Sequence, residues 1–228
     1  MGRAVTALVQ ADPDCLLAAG VLRRNSKTED KIFFTNKVQE AMKRADVLIE
    51  FTNPEATLAH LQEIAHLKKP VVIGTTGFNP SQAEMISSYA RSLAIVWDSN
   101  FSWGIALARR WLAQLESLPP GVDVGVAEIH RKGKKDRPSG TAKDLAGVIA
   151  ASIGRNPDVV SLRLAEVRGE HEIYLAGPYE SLKISHRVYS REAFASGALR
   201  AAKWVRTQKA GLYRFSDVSD AQWRRRKK

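Results

Sequence analysis

Between Glu128 and Ala142 the chain gathers side chains that can handle protons and anions: His130, Arg131, Lys132, Lys134, Lys135, Asp136 and Arg137, then Pro138-Ser139-Gly140-Thr141. Histidine ionises near neutrality, so His130 can act as an acid or as a neutral hydrogen-bond donor. A lysine gains the same capacity once neighbouring cations lower its pKa, which makes Lys134 a candidate. Downstream, Leu145, Val148, Ile149 and Ile153 recur at helical spacing, so Ser139, Gly140 and Thr141 open a helix. The free N–H groups and dipole of such an end accept a carboxylate, and Arg131 and the lysines can neutralise further negative charge. The same residues would equally suit a solvated basic loop ahead of a capped helix.

A second set follows two short apolar runs. Gly74-Thr75-Thr76-Gly77 comes after Val71-Val72-Ile73, and Asp98-Ser99-Asn100-Phe101-Ser102 comes after the run from Leu93 to Trp97. In an open parallel sheet, ligands bind outside the carboxyl ends of the strands. Small and hydroxylated residues there let a ring or a ribose come close. Either segment alone is more often a plain turn, but two at adjacent strand ends form one crevice.

The elements that must position these residues change character near Gly104. Before it, helical stretches (Met1 to Ala19 with a turn at Asp12-Pro13-Asp14, Asn36 to Ala45, Pro54 to Leu67, and Asn79-Pro80 to Arg91) alternate with short apolar strands at 20–22, 47–49, 71–73 and 93–97. That pattern reads as a parallel sheet covered on both faces. After it, a helix from Ile105 to Leu118 is expected to bury Leu107, Trp111, Leu112 and Leu115. Period-two alternation then appears in Val122-Val124-Val126, Val160-Leu162-Leu164, His171 to Ala176 and Leu182 to Val188, which reads as a sheet covered on one side. A final helix, Ala195 to Thr207, turns Ala198, Ala201, Ala202 and Val205 inward, with Gly211 just beyond it. Two domains with a returning C-terminal helix is the economical arrangement.

Bulk composition agrees with a globular protein. The chain has 228 residues, 44% hydrophobic and 26% charged, enough for a core without staples. Its one cysteine, Cys15, excludes an internal disulfide and cannot form a zinc site alone; it reads as a buried helix residue, and no metal is expected. No apolar run approaches a membrane span and no signal pattern opens the chain, so a cytoplasmic address is expected. The net charge of +11 lies partly in Trp223-Arg224-Arg225-Arg226-Lys227-Lys228, read as a disordered tail. No aromatic-interleaved basic repeat or zinc-finger spacing points to nucleic acid; the positive field suits steering of anionic small molecules.

The segment Glu-x-His-x-x-x-Lys-x-Asp-x-Pro-Ser-Gly-Thr-Ala, as it stands from Glu128 to Ala142, resembles the 4-hydroxy-tetrahydrodipicolinate reductase family of lysine and diaminopimelate biosynthesis. Further matches run in order: Phe51-Thr52-Asn53-Pro54-Glu55, Val72 to Phe78, Asn100-Phe101-Ser102, Gly169-Glu170-His171, Ser185-His186-Arg187, Phe194 to Ala198 and Gly211-Leu212-Tyr213. The resemblance implies a Rossmann-like, doubly wound α/β domain (1–101 and 192–228) and an α+β substrate and oligomerisation domain (102–191) with an open mixed sheet. It implies reduction of a cyclic imine dicarboxylate by NADH or NADPH, and a homotetramer built through the second sheet. By the same resemblance His130 and Lys134 are the proton-donating pair, and Ser139, Gly140 and Thr141 hold a substrate carboxylate. Gly74, Thr75, Thr76, Asp98, Ser99, Asn100 and Phe101 lie on the nicotinamide side.

Four departures carry expectations of their own. The family opens with a strand and a Gly-rich phosphate turn, whereas this sequence starts at Met1-Gly2-Arg3, the end of that motif. A coding start placed too late, or a shortened chain, is expected, with Gly2 and Arg3 the remaining part of the turn. Arg131 stands where a second histidine is usual; it can still grip a carboxylate through its fork. Arg23 replaces an acidic ribose contact and, beside Arg24, favours the 2′-phosphate of NADPH. Asp98 puts a carboxylate where the family usually has a small residue.

Overall fold

The protein was analysed as a computed structural model that describes residues 1–22 and 33–225. Arg23, Arg24 and the last three residues of the basic tail lie outside the described residues. The chain divides into two compact units, Met1–Phe101 with Phe194–Lys228, and Ser102–Ala193.

The first unit is a parallel α/β layer structure. Its four-stranded sheet runs in the order β10 (Gly211–Tyr213), β5 (Ala94–Trp97), β4 (Val71–Ile73), β3 (Leu48–Glu50), with every pairing parallel. A separate parallel pair joins β1 (Gly20–Val21) to β2 (Phe34–Thr35). Val71, Val72 and Ile73 are wholly buried because helices cover the sheet. Val38 and Met42 of α2 (Val38–Arg44), Leu61 and Ile64 of α3 (Pro54–Ile64) and Ile86 of α4 (Pro80–Tyr89) pack with Val71, Ile73 and Ile95 in one cluster. The helices start where the sequence supplies caps. Asn53 Oδ1 accepts the Ala56 amide at 2.9 Å, and Asn79 and Gln82 form a reciprocal capping box ahead of Pro80.

Several expectations fail here for local reasons. The first helix, α1, covers only Gly2–Ala11. Asp12 precedes a proline and takes an extended conformation, which ends the helix, so Cys15 is a half-buried residue outside any helix and Leu16 is exposed. Ala195 to Thr207 is not the last element. After α7 (Glu192–Val205) comes β10, then α8 (Phe215–Arg225), which reaches into the basic stretch read as disordered. A three-residue strand is too short for a periodic signal, and pairing with β5 defines it. The four residues expected to face inward on α7 are buried. At Gly197 a Cβ would fall 1.8 Å from the Phe101 carbonyl oxygen, so only glycine permits this approach.

The second unit carries a mixed sheet in the order β7 (Asp158–Arg163), β6 (Asp123–His130), β8 (Glu170–Ala176), β9 (Ser181–Arg187). β6 pairs parallel with β7 and antiparallel with β8, and β8 pairs antiparallel with β9. Val124, Val126, Ile173 and Leu175 face α5 (Trp103–Leu112) and α6 (Gly140–Ile153), meeting Ile105, Leu112, Leu145 and Ile149. Leu107 and Trp111 are not core residues: α5 ends at Leu112 and presents Ile105, Ala108 and Leu112 inward, leaving Leu107 51% and Trp111 40% exposed. On β7 the apolar residues also turn outward, with Val160 56% and Leu162 44% exposed. Register places Ser161 and Arg163 on the helix-covered side instead, beside Glu128 and His130.

Candidate active site

Strand alternation puts Glu128 and His130 on the same face of β6 as Val124 and Val126, under the two helices. Glu128 is wholly buried and lies opposite Ser161 on one side and His171 on the other. His130 is paired in register with Arg163. The Arg163 guanidinium grips both Glu128 oxygens, at 2.8 and 3.0 Å. The remaining capacity of that carboxylate goes to His130 Nδ1 and to the Ser139 amide, the latter at 3.2 Å.

Ser139 is the N-cap of α6. Its Oγ accepts the Ala142 amide at 3.1 Å and lies 3.3 Å from His171 Nε2. Ser139 and Thr141 are buried, whereas Gly140 is exposed and a Cβ there would meet nothing within 4 Å. The fourteen-residue helix thus begins with an exposed glycine between the Ser139 and Thr141 hydroxyls, a kind of helix end that can accept an anion. Lys134 is half-buried, its ammonium 2.8 Å from Asp136, and Arg131 is exposed. His130, Lys134, Ser139, Gly140 and Thr141 thus fall in one unit, with His130 and Ser139 both bonded to Glu128.

The electrostatics follow from burial and pairing. Burial works to raise the Glu128 pKa, but the Arg163 fork and the His130 contact overcome it and hold it at about 2. Burial lowers the His130 pKa, reinforced by Lys134 and Arg163 and opposed by Glu128. His171 is pushed down to about 3 by burial and by the neighbouring His130 and His186 rings. The two rings nearest the site stand edge to face, His130 and His171 centroids 5.3 Å apart. Glu128 and Arg163 had no assigned role in the sequence reading. For Glu128 the available signal was a charged residue in phase with Val124 and Val126; for Arg163 there was none, because the apolar alternation of Val160 and Leu162 pointed to the other face.

In the first unit, the segments after β4 and β5 are adjacent, with the Asp98 amide donating to Ile73 at 3.2 Å. Thr75 is buried and accepts from the Thr52 amide at 3.2 Å and the Thr57 hydroxyl at 2.9 Å. Gly74 is small for the sake of Phe51, whose ring would lie 2.0 Å from a Cβ. Thr76 and Ser99 are exposed, and Gly77, at φ +90°, has open space on its Cβ side. Asn100 and Phe101 are buried, the Phe101 ring packing on Phe51 and Phe215. Gly2 and Arg3 are exposed in the first turn of α1, where amides lack helical partners. Small and polar residues at adjacent parallel strand ends, with the first turn of α1, are groups that fit a dinucleotide.

A parallel α/β unit of this kind and a mixed-sheet unit with an anion-accepting helix end define a two-unit reductase of the nucleotide-dependent class. Residues 1–101 match the family described as dihydrodipicolinate reductase, N-terminus, and residues 104–218 match its C-terminus. The chain is 35% identical to 4-hydroxy-tetrahydrodipicolinate reductase of Thiobacillus denitrificans, over 96% of this chain and 94% of that protein. It is 34% identical to the Bdellovibrio bacteriovorus protein of the same name, over 96% and 91%. The fold matches a dipicolinate-bound dihydrodipicolinate reductase from Paenisporosarcina sp. TG-14 with a TM-score of 0.79 and 20% identity, covering 93% of this chain and 92% of that one. The chain belongs to the dihydrodipicolinate reductase family.

Proposed function

We propose that this chain reduces 4-hydroxy-tetrahydrodipicolinate with NADPH or NADH, the reaction named for its relatives in Thiobacillus and Bdellovibrio. The observation that carries the reading is that Glu128 binds both His130 and the Ser139 amide, tying a proton-handling side chain to the anion-accepting end of α6. The α6 terminus, with Ser139, Gly140 and Thr141, takes a substrate carboxylate. The Paenisporosarcina relative holds dipicolinate, an aromatic dicarboxylate of matching charge. Arg131, exposed beside the site, supplies a permanent charge for the second carboxylate.

When bound, the nicotinamide supplies a hydride, and the protein must then supply a proton. His130 is the donor through Nε2, because its Nδ1 is committed to Glu128. Lys134, held by Asp136 and surrounded by cations, is its partner in that role. Gly2 and Arg3 bind phosphate, and Thr76, Ser99 and their neighbours contact the nicotinamide side. Preference for NADPH rests on Arg23 and Arg24, and the ratio of kcat/KM for the two coenzymes measures it.

A homotetramer formed through the outer face of the second sheet accompanies this reading. The exposed apolar side chains Val160 and Leu162, with Tyr174 on the same face, support it. Among the described residues no helix is long and apolar enough to cross a membrane.

The test couples the chain to dihydrodipicolinate synthase and follows coenzyme oxidation. Turnover is expected, and His130→Ala or Lys134→Ala should each lower kcat by roughly 10²- to 10⁴-fold without loss of folding. Absence of oxidation overturns the activity; unchanged kcat in both variants overturns the assignment of the proton donors.

A further inference from the structure

We propose that the buried Glu128–Arg163 pair is the positioning device of the site, one carboxylate setting both the tautomer of His130 and the seat of the α6 terminus. The inference rests on the reading of His130 as the proton donor.

Apart from one N–H given to the neighbouring β7 backbone, the hydrogen bonds of the pair go to the site or to its flanking loop. Arg163 has five N–H donors in a rigid fork. Two reach Glu128, at 2.8 and 3.0 Å; one reaches the Leu162 carbonyl at 2.6 Å; Nε donates to the Lys134 carbonyl at 3.2 Å; and another goes to the Asp136 carbonyl. The guanidinium therefore holds the backbone of the loop that carries Lys134, while Glu128 holds His130 and Ser139. A buried ion pair is a poor way to gain stability, since desolvation offsets most of the attraction. Its contacts instead converge on the residues that handle the proton and the carboxylate.

The chemical consequence is directional. An ionised carboxylate only accepts, so His130 must present Nδ1–H to it. Nε2 is then the atom left to exchange a proton. It faces Gly169, where φ is +154° and a Cβ would stand 3.2 Å from Nε2, so a side chain at that position would crowd the exchanging nitrogen. The charged or titratable groups facing the ring are Glu128 on its own strand, Lys134 in the following loop, Arg163 on β7 and His171 on β8. Of these only Glu128 favours the protonated ring.

Glu128→Gln keeps the shape and removes the charge. In the whole 228-residue chain, nitrogen-15 imidazole spectra should show His130 wholly in the Nδ1–H tautomer when neutral, and a mixture of tautomers in E128Q. The His130 pKa should fall in E128Q, because burial, Lys134 and Arg163 still disfavour the charged ring. The alkaline limb of the kcat profile, where the donor loses its proton, should move to lower pH with it. We expect kcat to drop about 10- to 100-fold, as for other residues that orient a ligand from behind, with KM for the coenzyme unchanged. If E128Q does not fold, Glu128→Asp replaces it: the charge survives, but a carboxylate one methylene shorter cannot meet both His130 and Ser139. An unaltered His130 tautomer with unaltered kcat in the folded variant overturns the proposal. The spectra need no substrate, so a wild-type protein that fails to turn over would defeat the reductase reading while leaving the tautomer result to stand or fall by itself.

Discussion

Asp98 Oδ2 accepts the amide of Phe215, 117 residues further along the chain, at 3.1 Å. Phe215 is the first residue of α8, and the other carboxylate oxygen takes the Asn100 amide at 3.1 Å. A carboxylate at a helix N-terminus satisfies a partnerless amide and meets the positive end of the dipole. That accounts for an acidic residue where the family usually has a small one: it fastens α8 to the end of β5. Asp98→Ala should destabilise the protein by about 1–2 kcal/mol, read as a lower urea midpoint. Coenzyme affinity should change by less than about threefold, on the order of 0.6 kcal/mol. A large loss of affinity at unchanged stability would show instead that the carboxylate acts on the coenzyme.

Acid should weaken the fold earlier than carboxylates alone would dictate. His171 has a folded pKa of about 3 against 6.5 for the free side chain, so the unfolded chain takes up its proton first. Its contribution is complete above pH 6.5 and is lost as pH falls from there toward 3, at about 1.4 kcal/mol per unit. Glu128, at about 2 against 4.5, adds a second loss that begins near pH 4.5. Unfolding free energies from urea titrations should therefore decline between about pH 6 and 5, before Glu128 contributes. His171→Asn should flatten that decline by about one proton; an unchanged slope would mean that His171 is not buried neutral.

The outer face of the second sheet offers a test of assembly. Val160 pairs in register with Ala127 and Leu162 with Ile129, so a charge at either position would enter any contact made by this face. Val160→Lys combined with Leu162→Lys should penalise such a contact by several kcal/mol, on the order seen when like charges are forced together. Light scattering should then report a species smaller than the wild type, with unchanged far-ultraviolet circular dichroism. A wild-type monomer, or a tetramer that survives both lysines, would reject this surface.

Much of the frame was legible before the structure. Short apolar runs such as Val71-Val72-Ile73 between helical stretches read as strands buried on both faces, and Asn79-Pro80 announces a helix start by local chemistry. The helix start at Pro138-Ser139-Gly140-Thr141 was equally plain, and the structure makes Ser139 its N-cap. Elements defined by distant partners were less visible. β10 has three residues and forms against β5, and α8 begins at an amide that Asp98 accepts. The outward turn of Val160 and Leu162 could not be read from alternation, which fixes two faces but not which one meets the helices.

The sequence by itself determined the family, the start of the α6 helix after Pro138, and which residue types, His130 and Lys134 among them, are the candidates for handling a proton, since these depend on residue type and near spacing. Tertiary structure alone decided what surrounds them. Glu128 and Arg163 lie 35 positions apart and meet only because β6 and β7 pair in one register, which sets the ionisation of the carboxylate and the orientation of His130. A pKa and a tautomer are properties of an environment, and here that environment is assembled from residues remote in the chain.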